Sequence, residues 1–240
     1  MTHAWNTIYP NAGQAQPGRT AAWPVAAWRR ATLLPAALLS VLLLASGCAI
    51  KPTSYYTLTT APLAIAPAVA VTGATASAAD AIFIELAPVA VPERLARPQM
   101  VLTRPGGQSA KVELLEQHRW IASFELELRD ALASGIAVRA GAIDVTRGGA
   151  PSLLPVWRIA VQLRQFEAIE AERVDAAFSW TARRSDADQD SACRWAGSVQ
   201  VGSGIDALAQ GAQQLTDQTA QAIARHLAAL SLDPAAACGQ

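Results

Sequence analysis

The chain offers few side chains that could perform catalytic or metal chemistry. Beyond residue 50 the only histidines are His118 and His226, and neither stands with cysteines or acids in a metal-binding spacing. The sequence has no Gly-x-Ser-x-Gly turn and no phosphate-binding glycine loop, and Gly202-Ser203-Gly204 is too short to count as either. We therefore predict no catalytic, cofactor-binding or metal site and no enzyme. A serine–histidine hydrolase is the enzymatic alternative.

Cys48 follows an apolar run with the features of a secretory signal. Arg29 and Arg30 supply positive charge, residues 33–44 are mostly apolar, and Ala45-Ser46-Gly47 places small residues before the cysteine. The apolar core is shorter than the roughly 20 residues needed to cross a bilayer. A cysteine at this position resembles the lipobox of bacterial lipoproteins. That resemblance implies cleavage before Cys48 and acylation of its thiol and amino group. An ordinary signal peptide or a short membrane anchor is the alternative.

The composition predicts one domain of ordinary size. We expect a signal peptide with an extended N-terminal region at 1–47, a lipidated tether at 48–54, a folded domain at 55–232 with a flexible Ala/Pro insert at 61–79, and a tail at 233–240. The first 47 residues hold three of the 19 basic residues and no acid, so the mature chain carries 16 − 19 = −3. A net negative charge of this size does not favour binding to nucleic acid, which requires an excess of basic residues.

Cys193 and Cys238 are the two remaining cysteines. A secreted protein meets an oxidising compartment, where a disulfide is permitted. A bridge would tie the tail to a predicted strand. Two separate thiols fit the sequence equally well.

Alternating and helical patterns predict an α+β fold. Three segments at 157–164, 174–183 and 193–201 alternate apolar and polar residues, as strands with one solvated face do. Strands are also predicted at 55–59, 81–86 and 137–145, and residues 99–103 and 111–115 form a hairpin. Helical spacing predicts a helix from Trp120 to Ser134 with Gly135 as its C-cap, and a second helix from about Ile205 to Leu230 with Ser203 as its N-cap. We expect a mainly antiparallel sheet with two amphipathic helices on one face.

The order of segments and several short motifs resemble the PqiC-like ABC-type transport auxiliary lipoprotein family. These motifs are Pro52, Tyr55-Tyr56-Thr57-Leu58, Ala87-Pro88-Val89, Val91-Pro92-Glu93, Leu95, Arg97-Pro98-Gln99-Met100-Val101, Thr103-Arg104 and Arg119-Trp120. The resemblance implies a non-catalytic subunit of an intermembrane lipid transport system that supports outer-membrane integrity. Its implied partners are an MCE-domain periplasmic protein, inner-membrane transport components, membrane lipid through acylated Cys48, and further copies in a homo-oligomeric ring.

Two further expectations concern location and partner contacts. Ala49 follows the cysteine where an inner-membrane retention signal would have Asp, which favours the periplasmic face of the outer membrane. Arg97, Gln99 and Arg104 lie on or beside a predicted strand and are candidates for contact with another subunit, because arginine suits bidentate carboxylate pairing. Solvated edge arginines are the alternative. A stand-alone structural lipoprotein of the envelope is the alternative function.

Overall fold

A computed structural model describes residues 51–60, 81–106, 111–149 and 154–238 of the chain. These residues contain eight β-strands and two α-helices. The elements in chain order are β1 (Ser54–Tyr56), β2 (Ile82–Leu86), β3 (Gln99–Leu102), β4 (Glu113–Trp120), α1 (Phe124–Ala140), β5 (Ala142–Asp144), β6 (Val156–Ile169), β7 (Arg173–Arg184), β8 (Ser191–Gln200) and α2 (Ile205–Leu232). The predicted signal peptide, Cys48 and the Ala/Pro insert lie outside the described residues.

The described strands form two mixed sheets. The smaller has the order β1-β4-β3 and the larger the order β5-β2-β6-β7-β8. Antiparallel pairing joins β3 to β4 and runs through β6, β7 and β8, whereas β1 lies parallel to β4 and β2 lies parallel to both β5 and β6. The predicted α+β class is confirmed. The sheets are mainly antiparallel, as predicted, but not purely so, because β2 reaches β5 and β6 through a long crossover that contains α1.

The three alternating segments are confirmed as the strands β6, β7 and β8, which pair antiparallel in chain order. Trp157 and Trp180 are buried on the face that packs against the helices. Trp195, on the same face of β8, is only partly buried because β8 is the last strand of its sheet. The described core is continuous and includes residues from both sheets and both helices.

The helix predicted at 120–134 begins and ends later than its pattern indicated. Trp120 is the buried last residue of β4, so its place in the apolar stripe reflects the core face of a strand. α1 begins after Ser123, whose side chain accepts a hydrogen bond from the Leu126 amide, and it ends at Gly141, which has a φ of 60°. The strand predicted at 137–145 is therefore wrong for its first half, and only β5 remains of it.

Gly135 lies inside α1 and is not a cap. A Cβ placed there would lie 2.8 Å from the Cβ of Ala220 on α2. The absence of a side chain therefore lets the two helices approach closely. Glycine costs a helix interior about 1 kcal/mol relative to alanine, and this close contact offsets that cost.

α2 follows its predicted range and extends two residues beyond it. The residue before the helix is Gly204, and no side chain caps its N-terminus, so Ser203 is not the N-cap. His226, near the end of α2, is 1% exposed and packs in the core. Among the described residues, no helix is both long and apolar enough to cross a bilayer.

Candidate functional site

The segment that leads from the N-terminus into the fold is held by both helices. Thr57 donates a hydrogen bond from Oγ1 to Oε2 of Glu127 over 2.8 Å, and the Leu58 amide donates to the same oxygen over 2.9 Å. Glu127 lies on α1 and is 7% exposed. From α2, the Gln213 side chain donates to the Thr57 carbonyl over 2.7 Å. We call these contacts, together with that of Tyr56 described next, the N-terminal clasp.

Tyr56 completes the clasp from the end of β1. Its hydroxyl donates to Oδ1 of Asp206 on α2 over 2.8 Å and lies 3.0 Å from Nδ1 of His118 on β4. Because the phenol has one proton, His118 donates from Nδ1 to the phenolic oxygen. Burial, followed by the Asp206 carboxylate, raises the pKa of Tyr56 to about 12. The phenol therefore stays protonated at ordinary pH and serves as a fixed donor rather than a base.

The three predicted contact residues have different surroundings. Arg104 donates bidentately to Glu113 over 2.6 and 3.0 Å and also donates to Glu170 over 2.7 Å, which ties the β3–β4 hairpin to the end of β6. Hydrogen bonding to Arg104 lowers the pKa of Glu113. Gln99 is half-buried on β3. Arg97 is exposed, and it forms no ion pair with a described residue. Arg97 is thus the candidate most open to an outside partner.

The structure joins Cys193 and Cys238 in a disulfide. Their Cα atoms are 5.7 Å apart, and the bond links β8 to the tail that follows α2. The closed loop spans a sequence separation of 45. In the chain-entropy model, closing such a loop lowers the entropy of the unfolded chain and so stabilises the folded state by about 4 kcal/mol.

We expect the Cys238→Ser variant to lower the free energy of unfolding by about 2–3 kcal/mol. The expected loss is below the entropy value because the tail is short and gains freedom in the native state as well. Urea unfolding monitored by tryptophan fluorescence gives the difference. Dithiothreitol is expected to lower the stability of the wild type and to leave the variant unchanged. A wild type insensitive to reductant would contradict the bond.

The hydrolase alternative needs a serine close to a histidine. Among the described residues, only Ser191 and His226 meet this requirement of distance. Nε2 of His226 lies 3.0 Å from Oγ of Ser191. On the other side of the ring, Nε1 of Trp180 donates to Nδ1 over 3.0 Å. Because an indole N–H can only donate, Nδ1 is the acceptor, and in the neutral ring the proton lies on Nε2. His226 therefore donates to Ser191 and cannot take its proton, as a general base must.

The same ring lies beside the disulfide. One ligand atom each from Cys193, His226 and Cys238 falls within 4.8 Å of the others, a spacing that could hold a metal ion. In the structure the two sulfurs are bonded to each other, so neither is a thiolate ligand. Metal ligation through Nε2 would also move the ring proton to Nδ1, where it would oppose the Trp180 donor. The arrangement fits a structural cluster better than a metal centre.

Burial lowers the pKa of His226, and this predicts a pH-dependent stability. The folded protein binds a proton at His226 less readily than the unfolded chain, whose histidine pKa is about 6.5. Stability from this residue is therefore present above about pH 6.5 and is lost as the pH falls below it. We expect the urea concentration at the unfolding midpoint to decrease as the pH is lowered from about 7.5 to about 5.5, both in the wild type and in the control His118→Gln. The variant His226→Gln is expected to show a flatter profile, and an equal slope would contradict the assignment.

An apolar cavity lies between the small sheet and the helices. Its lining includes Met100, Trp120, Phe124, Phe166 and Leu208, and its volume is about 10 Å³. This is about the space that one water molecule needs. The cavity therefore has no room for an acyl chain in this conformation.

Comparisons with known proteins place these features in a family. The sequence model described as the ABC-type transport auxiliary lipoprotein component matches residues 56–224, more than half of the chain. The chain belongs to this family. For this auxiliary lipoprotein the match begins at Tyr56, the first residue of the clasp, and includes Arg97, Gln99 and Arg104. It includes Cys193 but ends before Cys238, so the disulfide is not contained in the matched region.

One solved structure shares the fold of this auxiliary lipoprotein, and a second aligns less well. The crystal structure of an uncharacterized protein aligns with a TM-score of 0.55 at 16% identity, covering 74% of this chain and 99% of its own. The crystal structure of protein XCC0632 from Xanthomonas campestris, of the DUF330 family, aligns with a TM-score of 0.46 at 12% identity, covering 63% of this chain and 83% of its own. No curated protein matches the sequence significantly.

Proposed function

We propose that this auxiliary lipoprotein is a non-catalytic docking subunit of an intermembrane lipid transport system, anchored by Cys48 at the periplasmic face of the outer membrane. The observation that carries the proposal is the family match over residues 56–224. The proposed partners are an MCE-domain periplasmic protein and inner-membrane components of PqiC-type systems, with further copies of the chain in a ring. Support for a non-catalytic role comes from the Ser191–His226 pair, which has the wrong tautomer for a general base.

The contacts of the clasp suit a protein that is held by its N-terminus. Cys48 precedes Ser54, the first residue of β1, by six residues, which span at most about 20 Å when fully extended. Clasp contacts from α1 and α2 then hold residues 56–58. A load on the anchor is therefore shared by both helices and does not fall on β1 alone.

The apolar cavity under the small sheet is too small to carry lipid. A protein that shuttles phospholipid must enclose at least one acyl chain, and ligand pockets typically exceed about 300 Å³. The apolar cavity under the small sheet holds about 10 Å³. This cavity is therefore not a lipid path, and we assign the positioning of partner proteins to this subunit.

Affinity purification of the tagged, acylated protein from mild detergent extracts tests the proposal. We expect an MCE-domain protein and inner-membrane transport components to be recovered with it. The Cys48→Ser variant is the matched control, because it keeps the folded body and cannot be acylated. We expect it to recover less of these partners. Recovery of the acylated protein with none of them would favour a stand-alone structural lipoprotein and overturn the proposal.

A further inference from the structure

The outward face of the small sheet carries large apolar side chains close to the anchor. Tyr55 on β1 is 63% exposed, and Ile121, directly after β4, is 69% exposed. Tyr55 pairs in register with Arg119, and the Ile121 amide donates to the Tyr56 carbonyl, so these residues are neighbours. Tyr56 and Trp120 point inward and pack against each other, which leaves their neighbours Tyr55 and Ile121 on the opposite side.

Basic side chains flank these apolar residues. The Arg97 carbonyl accepts from the Phe124 amide and the Pro98 carbonyl accepts from the Trp120 amide, which places Arg97 beside Ile121. Arg97 is exposed and without an ion-pair partner among the described residues, as is Lys51 at the start of the described chain. Arg119, which pairs in register with Tyr55, forms an ion pair with Glu116 over 3.4 Å. We call Tyr55, Arg97, Arg119 and Ile121 the outer patch.

We propose that the outer patch rests on the surface of the membrane that receives the Cys48 acyl chains, with Ile121 and Tyr55 at the level of the headgroups and Arg97 against lipid phosphate. This rests on the proposed anchoring of Cys48. Tyr55 is seven residues from Cys48, so the patch cannot be more than about 25 Å from the acylated end. Tyrosine with an apolar neighbour suits the membrane interface, and arginine binds phosphate.

The short tether favours lipid over a protein as the occupant. A globular protein of about 100 residues has a radius of gyration of about 13 Å, so its diameter exceeds about 26 Å, which is more than the reach of the tether. Such a body would not fit between the patch and a bilayer held this close. Val138, near the far end of α1, is also an exposed apolar residue. It lies about 20 Å along the helix from Phe124 and is therefore remote from the outer patch. The two positions therefore provide a matched test.

The test places one fluorescent probe on the full, acylated protein. Ile121→Cys supplies a free thiol, because Cys48 is acylated and Cys193 and Cys238 are bonded to each other. After labelling with an environment-sensitive dye, the protein is reconstituted in phosphatidylethanolamine–phosphatidylglycerol vesicles with or without spin-labelled lipid. We expect a blue-shifted emission and strong quenching at position 121. The same dye at Val138→Cys is expected to show neither.

Each outcome decides the proposal. Protein that floats with the vesicles but shows equal or no quenching at the two positions would overturn the outer patch and leave the anchor and the transport proposal intact. Protein that does not float would overturn the anchor and the patch together, with partner recovery still to be judged separately. A blue shift at position 121 that grows with protein concentration in detergent, without quenching by lipid, would assign the patch to a second copy of the chain and overturn the membrane contact.

Discussion

Replacing Cys48 with serine is expected to abolish acylation and stable attachment to the outer membrane. Each buried CH₂ contributes about 0.8 kcal/mol to membrane binding, one chain holds a protein only marginally, and two or more make attachment persistent. Without the thiol no chain can be added at this position, and the lipoprotein type of cleavage does not occur. We expect the variant to keep its full mass of 25.1 kDa and to incorporate no labelled fatty acid.

The matched control is Cys238→Ser, which removes a different cysteine from the same chain. It is expected to incorporate label and to fractionate with the outer membrane as the wild type does. Fractionation on a sucrose gradient, metabolic labelling with an alkyne fatty acid and intact mass give the three readouts. Normal maturation of Cys48→Ser together with sedimentation in the outer-membrane fraction would refute lipid attachment at this residue.

Regular patterns predicted the part of the fold in which one physical requirement dominates. β6 alternates from Trp157 to Arg164 and β7 along nearly its whole length, because one face packs against the helices while the other meets solvent. α2 carries a long apolar stripe for the same reason. In these elements the pattern of burial agrees with the local sequence pattern, so the sequence alone predicts them.

The predictions for Trp120 and Gly135 are wrong, because the local pattern around each residue fits two different structures. Trp120 fitted a helical stripe but belongs to β4, since the apolar positions of a strand and of the following helix meet at the same core. Gly135 fitted a helix cap but serves the contact with Ala220, which depends on an element 85 residues later. The parallel pairing of β2 likewise depends on partners distant in sequence, which local patterns cannot specify.

The clasp also shows what the sequence could have indicated about the site. The motif at residues 55–58 was recognised by its resemblance, while its receiving residue Glu127 was not. Glu127 stands three residues after Phe124 and one before Leu128, within the buried stripe of α1. An acid at such a position is rarely buried unless it is paired. That signal marks Glu127 as a residue with a specific partner, although it cannot say that the partner is the N-terminal segment.

Replacing Glu127 with alanine is expected to lower the free energy of unfolding by about 3–5 kcal/mol, because it removes two hydrogen bonds to a carboxylate, each worth about 1.5–3 kcal/mol. The Leu58 amide is a buried donor that would be left without its acceptor. Urea unfolding monitored by tryptophan fluorescence measures the loss. Hydrogen exchange adds a local readout, since the Leu58 amide is expected to lose protection in the variant.

Glu125→Ala is the matched control, because it removes the same charge from the same first turn of α1. Glu125 is less buried and forms no hydrogen bond with the described residues 51–60, so we expect a loss below about 1 kcal/mol. Glu127→Gln keeps the volume and one acceptor oxygen but loses the charge, so its loss is expected to lie between the two. Equal losses at positions 125 and 127, or unchanged protection of the Leu58 amide in Glu127→Ala, would show that the clasp does not hold the anchored segment. Loads on the anchor would then fall on the three-residue strand β1 and its pairing with β4.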